Sequence, residues 1–184
     1  MLLGIPGALR ADSTNRKLVR EAARLYGGPF VEADIRLPLF DEDVEIASGI
    51  PADVQRLYDQ IAAAEAVVIS SPEYNKSFPG VLKNALDWVS RVKGTPWKDK
   101  PVAIMSAAAG REGGARANFA LRLALTPFRP RLLTGPEVLV ADARKQFDSN
   151  GMLVSDRYVE TLRTLMDALR DEARRPTEGL SRTA

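Results

Sequence analysis

Two polar segments hold most of the side chains in this chain that could bind a ligand. The first is Ser71-Pro72-Glu73-Tyr74-Asn75-Lys76-Ser77-Phe78-Pro79-Gly80. Its prolines fix φ and so set the angle at which the loop is displayed. Backbone N–H and C=O groups held this way suit a flat heterocycle with a hydrogen-bonding edge better than a simple anion. The second is Pro6-Gly7-Ala8-Leu9-Arg10-Ala11-Asp12-Ser13-Thr14-Asn15-Arg16. Ser13, Thr14 and Asn15 are all N-cap formers and neutral donors. A glycine-containing turn that opens a helix attracts anions, because unpaired N–H groups and the helix dipole both favour negative charge. Arg10 adds a cation able to hold phosphate oxygens bidentately. The turn has neither the lysine and spacing of a P-loop nor a GxGxxG pattern, so it suits one terminal monophosphate better than a diphosphate bridge.

A third segment, Ser106-Ala107-Ala108-Ala109-Gly110, carries small side chains that let a backbone approach a flat ring closely. Taken singly, the three segments are also what ordinary structure needs: a helix cap beside a surface arginine, a strand-to-helix connection and a flexible loop. Jointly they favour a flavin site with a phosphate at the helix N-terminus.

The absences in the composition agree. The chain has no cysteine and no histidine, which excludes disulfides, thiol catalysis and cysteine- or histidine-ligated metal, and removes the commonest general base. Redox chemistry must therefore come from a bound cofactor, and no catalytic side chain or metal site is assigned. A net charge of +2 is too mild to argue for nucleic acid. No 18-residue apolar stretch and no signal-peptide pattern is present, so no membrane partner is expected and a cytoplasmic location is the simplest.

The elements that must position these loops follow from periodicity. The 184 residues fit one domain over 1–174, with 175–184 expected as a disordered tail. Leu2 to Ile5 reads as a first strand, Asn15 to Tyr26 as a helix stopped by Gly27-Gly28, and Phe30 to Ile35 as a short strand. Leu37 to Gly49 reads as an irregular acidic loop. A helix opens at Pro51 with Val54, Leu57, Ile61 and Ala64 inward. Ala66 to Ser71 and Pro101 to Ser106 are continuous apolar runs, as in parallel strands covered on both faces. Helices follow at Pro79 to Val92 and Gly113 to Thr126. Arg131 to Val140 is a final strand interrupted at Gly135-Pro136, and Ser155 caps a last helix. Strands alternating with helices define an α/β fold with a parallel sheet.

The motifs carry a resemblance. Gly4 to Arg10 with Ser13 and Asn15, Pro72 through Asn75 with Ser77, Pro79 and Gly80, Leu82 to Trp88, and Ser106 to Arg116 with Gly113 and Gly114 stand in the order seen in the NADPH-dependent FMN reductase family, as does Phe147 to Gly151. That family includes quinone, chromate and azo-dye reductases. The resemblance spans residues 2 to about 170. It implies a flavodoxin-like doubly wound sandwich of about five parallel strands in the order 2-1-3-4-5, with helices on both faces. It implies bound FMN, with NADPH or NADH as co-substrate and a small-molecule electron acceptor, turned over by a ping-pong mechanism. Ala8, Leu9, Arg10, Ser13, Thr14 and Asn15 are the implied phosphate-side residues. Pro72, Glu73, Tyr74, Asn75, Ser77, Ser106, Ala107, Ala108 and Gly110 are the implied ring-side residues. The family is commonly dimeric or tetrameric, so a homodimer or homotetramer is expected. Its interface is the helix after the Pro-Glu-Tyr-Asn loop.

Two departures matter. The family carries serine where this chain has Pro6 and Ala8. A buried neutral hydrogen bond contributes about 1 kcal/mol net, so weaker FMN retention is expected at Ala8. Family members also carry extra residues before the first strand; either the start lies upstream or the strand is brief. Trp88 and Trp97 read as packing or interface residues, and Asp87 and Arg91 fall i, i+4 on one helix. Lys76, Arg111 and Arg116 are candidates to attract the extra phosphate of NADPH. The competing classes are a flavodoxin-type electron carrier and a flavin-based sensor without nicotinamide turnover. Carriers of that type are strongly acidic, unlike this chain.

Overall fold

The computed structural model describes residues 1–176. Strands β1 (Leu2–Pro6), β2 (Phe30–Glu32), β3 (Ala66–Ser71), β4 (Pro101–Ala107), β5 (Arg131–Leu132) and β6 (Val138–Val140) alternate with helices α1 (Thr14–Tyr26), α2 (Glu42–Ser48), α3 (Ala52–Ala63), α4 (Gly80–Arg91), α5 (Ala115–Leu125) and α6 (Asp156–Arg174). The sheet is parallel with order β2-β1-β3-β4-β5, as expected, and β6 also pairs with β4. The single interrupted last strand is thus two strands. β5 pairs with Pro101 and Val102, and β6 pairs with Met105 through Ala107. The break at Gly135-Pro136 lets the chain leave the lower part of β4 and rejoin its upper part.

The continuous apolar runs are explained by two cores. Leu2, Ala66, Val68, Ala103 and Met105 face α1 and α6, packing on Leu18, Ala22, Leu162, Met166 and Leu169. Their alternates Leu3, Ile5, Val67, Ile69, Val102 and Ile104 face α3, α4 and α5, packing on Leu57, Ile61, Leu82, Leu86 and Leu121. Successive side chains of a strand point to opposite faces, so a strand covered on both sides is apolar throughout. Each fully buried aliphatic side chain contributes roughly 1.5–3 kcal/mol against leaving it exposed.

Several expectations need correction. The segment read as an irregular acidic loop contains α2. Asp41 caps it, its side chain accepting from Asp43 N–H at 2.9 Å, and Gly49 ends it. Glu42, Asp43 and Glu45 in its first turn lie where the helix dipole favours them. No residue of α2 is buried, so it has no apolar stripe from which a period could be read. Arg91 pairs with Glu45 at 2.7 Å and Glu42 at 3.8 Å of α2, while Asp87 pairs with Lys83. The strand expected over Phe30 to Ile35 ends at Glu32. Ser155 occupies the N-cap of α6 without a side-chain cap bond. Trp88 and Trp97 are buried in the chain's own core. Trp88 Nε1–H donates to Pro38 O at 2.7 Å, and its ring meets Phe40 edge-on at 5.0 Å. Of the tail expected at 175–184, residues 177–184 lie outside the described residues.

Candidate functional site

The site is assembled where β1, β3 and β4 end. After β1 the backbone turns tightly against β3, with Gly7 N–H donating to Ser70 O at 2.8 Å. Ser13 is the N-cap of α1, and its side chain accepts from Asn15 N–H at 3.2 Å. Among the described residues the N–H groups of Leu9, Arg10, Thr14 and Arg16 have no hydrogen-bond partner. They form a cluster of free donors at the positive end of a helix.

Asn15 has turned inward. Its Nδ2 donates to Ala107 O at 2.8 Å, and its Oδ1 accepts from Ser70 Oγ at 2.8 Å and Ala107 N–H at 2.9 Å. One carboxamide therefore ties the start of α1 to the ends of β3 and β4. Arg10 is exposed and lies 3.6 Å from Asp12, which also meets the Lys17 ammonium at 2.6 Å. Hydrogen bonding to Lys17 and its charge hold the Asp12 carboxyl below the usual carboxylate range.

Beyond β3, Tyr74 and Ser77 exchange backbone hydrogen bonds at 2.9 and 3.1 Å. Asn75 and Lys76 between them have φ of 50° and 67°. Two consecutive positive φ values make a tight type I′-like turn; asparagine tolerates that conformation well, lysine less so. Tyr74 is exposed at the tip. Beyond β4, Ala108 N–H donates to Val140 O and Ala143 N–H to Ala108 O, both at 3.0 Å. Gly113 and Gly114 bring the loop back to α5 with φ of 60° and 89°. A Cβ would lie 2.6 Å from the Leu139 backbone at Gly113 and 2.9 Å from Ser106 Cβ at Gly114, so neither position accommodates a side chain without a shift.

These loops enclose a cleft of about 330 Å³ lined by Arg10, Ser13, Thr14, Asn15, Pro72, Glu73, Tyr74, Ala107, Ala108, Ala109, Ala143 and Arg144. A second lobe of about 320 Å³ shares Glu73, Ala108 and Ala109 and continues along Gly110 to Gly114 and Arg116. Each lobe matches the lower end of the ~300–1,000 Å³ of small-molecule sites. Of the expected residues, nine line the first lobe and Gly110 lines the second. Ala8 and Ser106 are buried outside the lining, Leu9 is on the surface, and Asn75 and Ser77 belong to the turn behind Tyr74. Ala109 was expected only as part of the small-residue segment; Ala143 and Arg144 were not anticipated. The last two reach the cleft through the pairing of β6 with β4, for which the sequence carries no local signal. A larger groove of about 510 Å³ runs between α4 and the 3-10 turn Thr126–Phe128, away from the strand ends where open α/β sheets bind ligands.

The residues present fit FMN. Free N–H groups stand with the exposed cations Arg10 and Arg144 for a phosphate, and Arg144 has no ion pair among the described residues. The Ser106 hydroxyl is buried without a partner beneath the Ala107 to Gly110 segment, whose side chains are no larger than a methyl. Of the arginines considered for the NADPH phosphate, Arg111 lies 3.3 Å from Glu112 and Arg116 3.7 Å from Glu73, and both are exposed.

A doubly wound parallel sheet with its cleft at the strand ends defines a flavodoxin-like protein. The sequence profile described as NADPH-dependent FMN reductase matches residues 1–146. An NAD(P)H-dependent FMN reductase of Pseudomonas aeruginosa is 44% identical over 177 residues, 95% of each chain. A 2-hydroxy-1,4-benzoquinone reductase of Burkholderia sp is 38% identical, covering 89% of this chain and 90% of the relative. Among solved structures, the flavoenzyme NAD(P)H:(acceptor) oxidoreductase FerB of Paracoccus denitrificans superposes with a TM-score of 0.84 at 31% identity, covering 94% of this chain and 96% of FerB. The chain belongs to the NADPH-dependent FMN reductase family. It is an enzyme of the flavin-dependent, NAD(P)H-using class.

Proposed function

We propose that this chain is a quinone reductase that binds FMN in the two-lobed cleft. The observation that carries the reading is that Arg10 and, at the start of α1, Thr14, whose N–H groups are free, line the same cleft as the small-residue segment. The FMN phosphate is held by that helix N-terminus, by Ser13 and Thr14, and by Arg10. The ring lies between the Pro72 to Ser77 turn and Ala107 to Gly110. Bound FMN would supply the redox chemistry, hydride transfer from NADPH or NADH and then electron transfer to an acceptor such as a quinone, a free flavin, an azo compound or chromate, in a ping-pong cycle. The chain's own residues contribute position. Asn15 fixes the start of α1 against the ends of β3 and β4. The small side chains of Ala107 to Gly110 would leave room for the ring, and Tyr74 lines the same cleft. The N–H groups of Tyr74, Ser77, Ala107 and Ala108 are taken by protein acceptors, so those of Asn75, Lys76, Ala109 and Gly110 would stabilise negative charge on the ring electrostatically.

The chain works as a homodimer or homotetramer in the cytoplasm. Exposed Phe119 and Leu123, four residues apart on α5, supply apolar surface for association. No helix among the described residues is long and apolar enough to cross a membrane. Light scattering of the purified protein tests the assembly.

The deciding experiment adds FMN, desalts, records the visible spectrum and then adds NADPH anaerobically. Retained yellow flavin that bleaches rapidly, and recolours on adding a quinone, is the expected result. Retained flavin that does not bleach points to a carrier or sensor. Failure to bind flavin in an equilibrium titration overturns the reading.

A further inference from the structure

Helix α5 does not cap itself. Its N-cap is Gly114, at φ 89°, with no side chain to accept from the first-turn N–H groups. Ala115 N–H donates to Glu112 O at 3.1 Å, and the next two N–H groups are satisfied from across the cleft. Glu73 Oε2 accepts from Arg116 N–H at 3.1 Å and from Ala117 N–H at 3.4 Å. Its Oε1 lies 3.7 Å from the Arg116 guanidinium, and the Glu73 side chain is 16% exposed. A carboxylate here also meets the positive end of the α5 dipole. An ordinary N-cap closes a local turn. This one joins residues 43 apart in the chain, and Glu73 lines both lobes of the cleft.

We infer that Glu73 is a positioning residue. By capping α5 across the cleft it sets the spacing between the 72–77 turn and the 107–114 loop, and with it the width of the slot for the flavin ring. The inference rests on the reading of the cleft as the FMN site. It asks no proton transfer of Glu73; both of its carboxylate oxygens already face α5. Without the cap the first turn of α5 frays, and the loop ahead of it loses its anchor on the far side.

The test compares Glu73→Ala and Glu73→Gln with the wild type. Leu162→Ala serves as a destabilised control, since Leu162 is buried on α6 outside the cleft lining. Three quantities are read: amide hydrogen exchange at Arg116 and Ala117 in the FMN-free protein, the FMN dissociation constant, and the visible circular dichroism of bound flavin. Loss of a side-chain cap is expected to speed exchange at the two amides about tenfold in Glu73→Ala. The same variant weakens FMN binding about tenfold and alters the dichroism, because a frayed loop must be ordered on binding. Glu73→Gln keeps an acceptor oxygen and restores all three to within about threefold of wild type. Leu162→Ala lowers the melting temperature and leaves all three at wild-type values.

Unchanged exchange in Glu73→Ala overturns the cap. Faster exchange with unchanged affinity and dichroism overturns the positioning role, as does a Leu162→Ala response matching Glu73→Ala. Should the alanine variant not fold, Glu73→Asp, one methylene too short to reach both amides, gives the same comparison in milder form. A wild type that binds no FMN refutes the reading of the cleft and the positioning role with it, while exchange at the two amides still judges the cap.

Discussion

Replacing Asn15 by alanine removes the joint between three elements at once. The carboxamide is buried and makes three hydrogen bonds, to Ser70 Oγ and to the N–H and C=O of Ala107, at 2.8 to 2.9 Å. At about 1 kcal/mol net each, the bonds alone amount to about 3 kcal/mol. The Ser70 hydroxyl and Ala107 amide are then stranded in a buried place, and desolvation without partners adds to the loss. The adjoining cleft gives water a route to part of that site, which limits the total to about 5 kcal/mol. For a domain of this size a loss of about 3–5 kcal/mol lowers the melting temperature by about 6–20 °C. Urea denaturation of the FMN-free protein reads the change without interference from ligand binding. A double-mutant cycle sharpens it. Ser70→Ala should cost about 1–2 kcal/mol in the wild type and under about 0.5 kcal/mol beside Asn15→Ala, because its partner is already gone. A total loss below about 1 kcal/mol, or an equal cost of Ser70→Ala in both backgrounds, would refute this account of how the strand ends are held.

Three further outcomes are expected. Arg10→Ala should weaken FMN about tenfold, less at high salt, since the guanidinium is exposed and shared with Asp12; a salt-independent, unchanged dissociation constant in a titration would remove Arg10 from the phosphate site. Ala8→Ser should leave the FMN dissociation constant unchanged in the same titration, because Ala8 is buried outside the cleft lining; a clear gain in affinity would place position 8 against the phosphate. Tyr26 donates to Glu65 at 3.0 Å, and burial first, then that bond, pushes its phenol up to about 12. The folded state therefore favours the neutral phenol: this stabilisation is full below the ordinary value of 10.0 and is lost as pH rises through about 12. Urea midpoints of wild type and Tyr26→Phe should converge across that window, and parallel curves would refute the assignment.

Much of the fold was legible because its signals are local. The continuous apolar runs of the strands Ala66–Ser71 and Pro101–Ala107, buried throughout, and the periodic helices announce a two-faced parallel sheet. What failed lacked a local signal. Helix α2 buries nothing, and its stability comes from the Asp41 cap and from Arg91 on another helix. β5 and β6 are too short to show a period and exist through pairing with β4.

For the site, residue order alone placed free donors, a cation and a small-residue segment at three loop positions, because a helix cap, a proline-bounded turn and a run of alanines each act over a few residues. Which donors remain free was decided by tertiary structure. Asn15 faces inward because Ser70 and Ala107 meet it there, Glu73 is drawn to α5 because Gly114 leaves that helix without a side-chain cap, and Arg144 lines the same cleft as Arg10 because β6 pairs with β4. Hydrogen bonds and strand pairings between residues tens of positions apart depend on how the chain packs, and no window of sequence contains both partners.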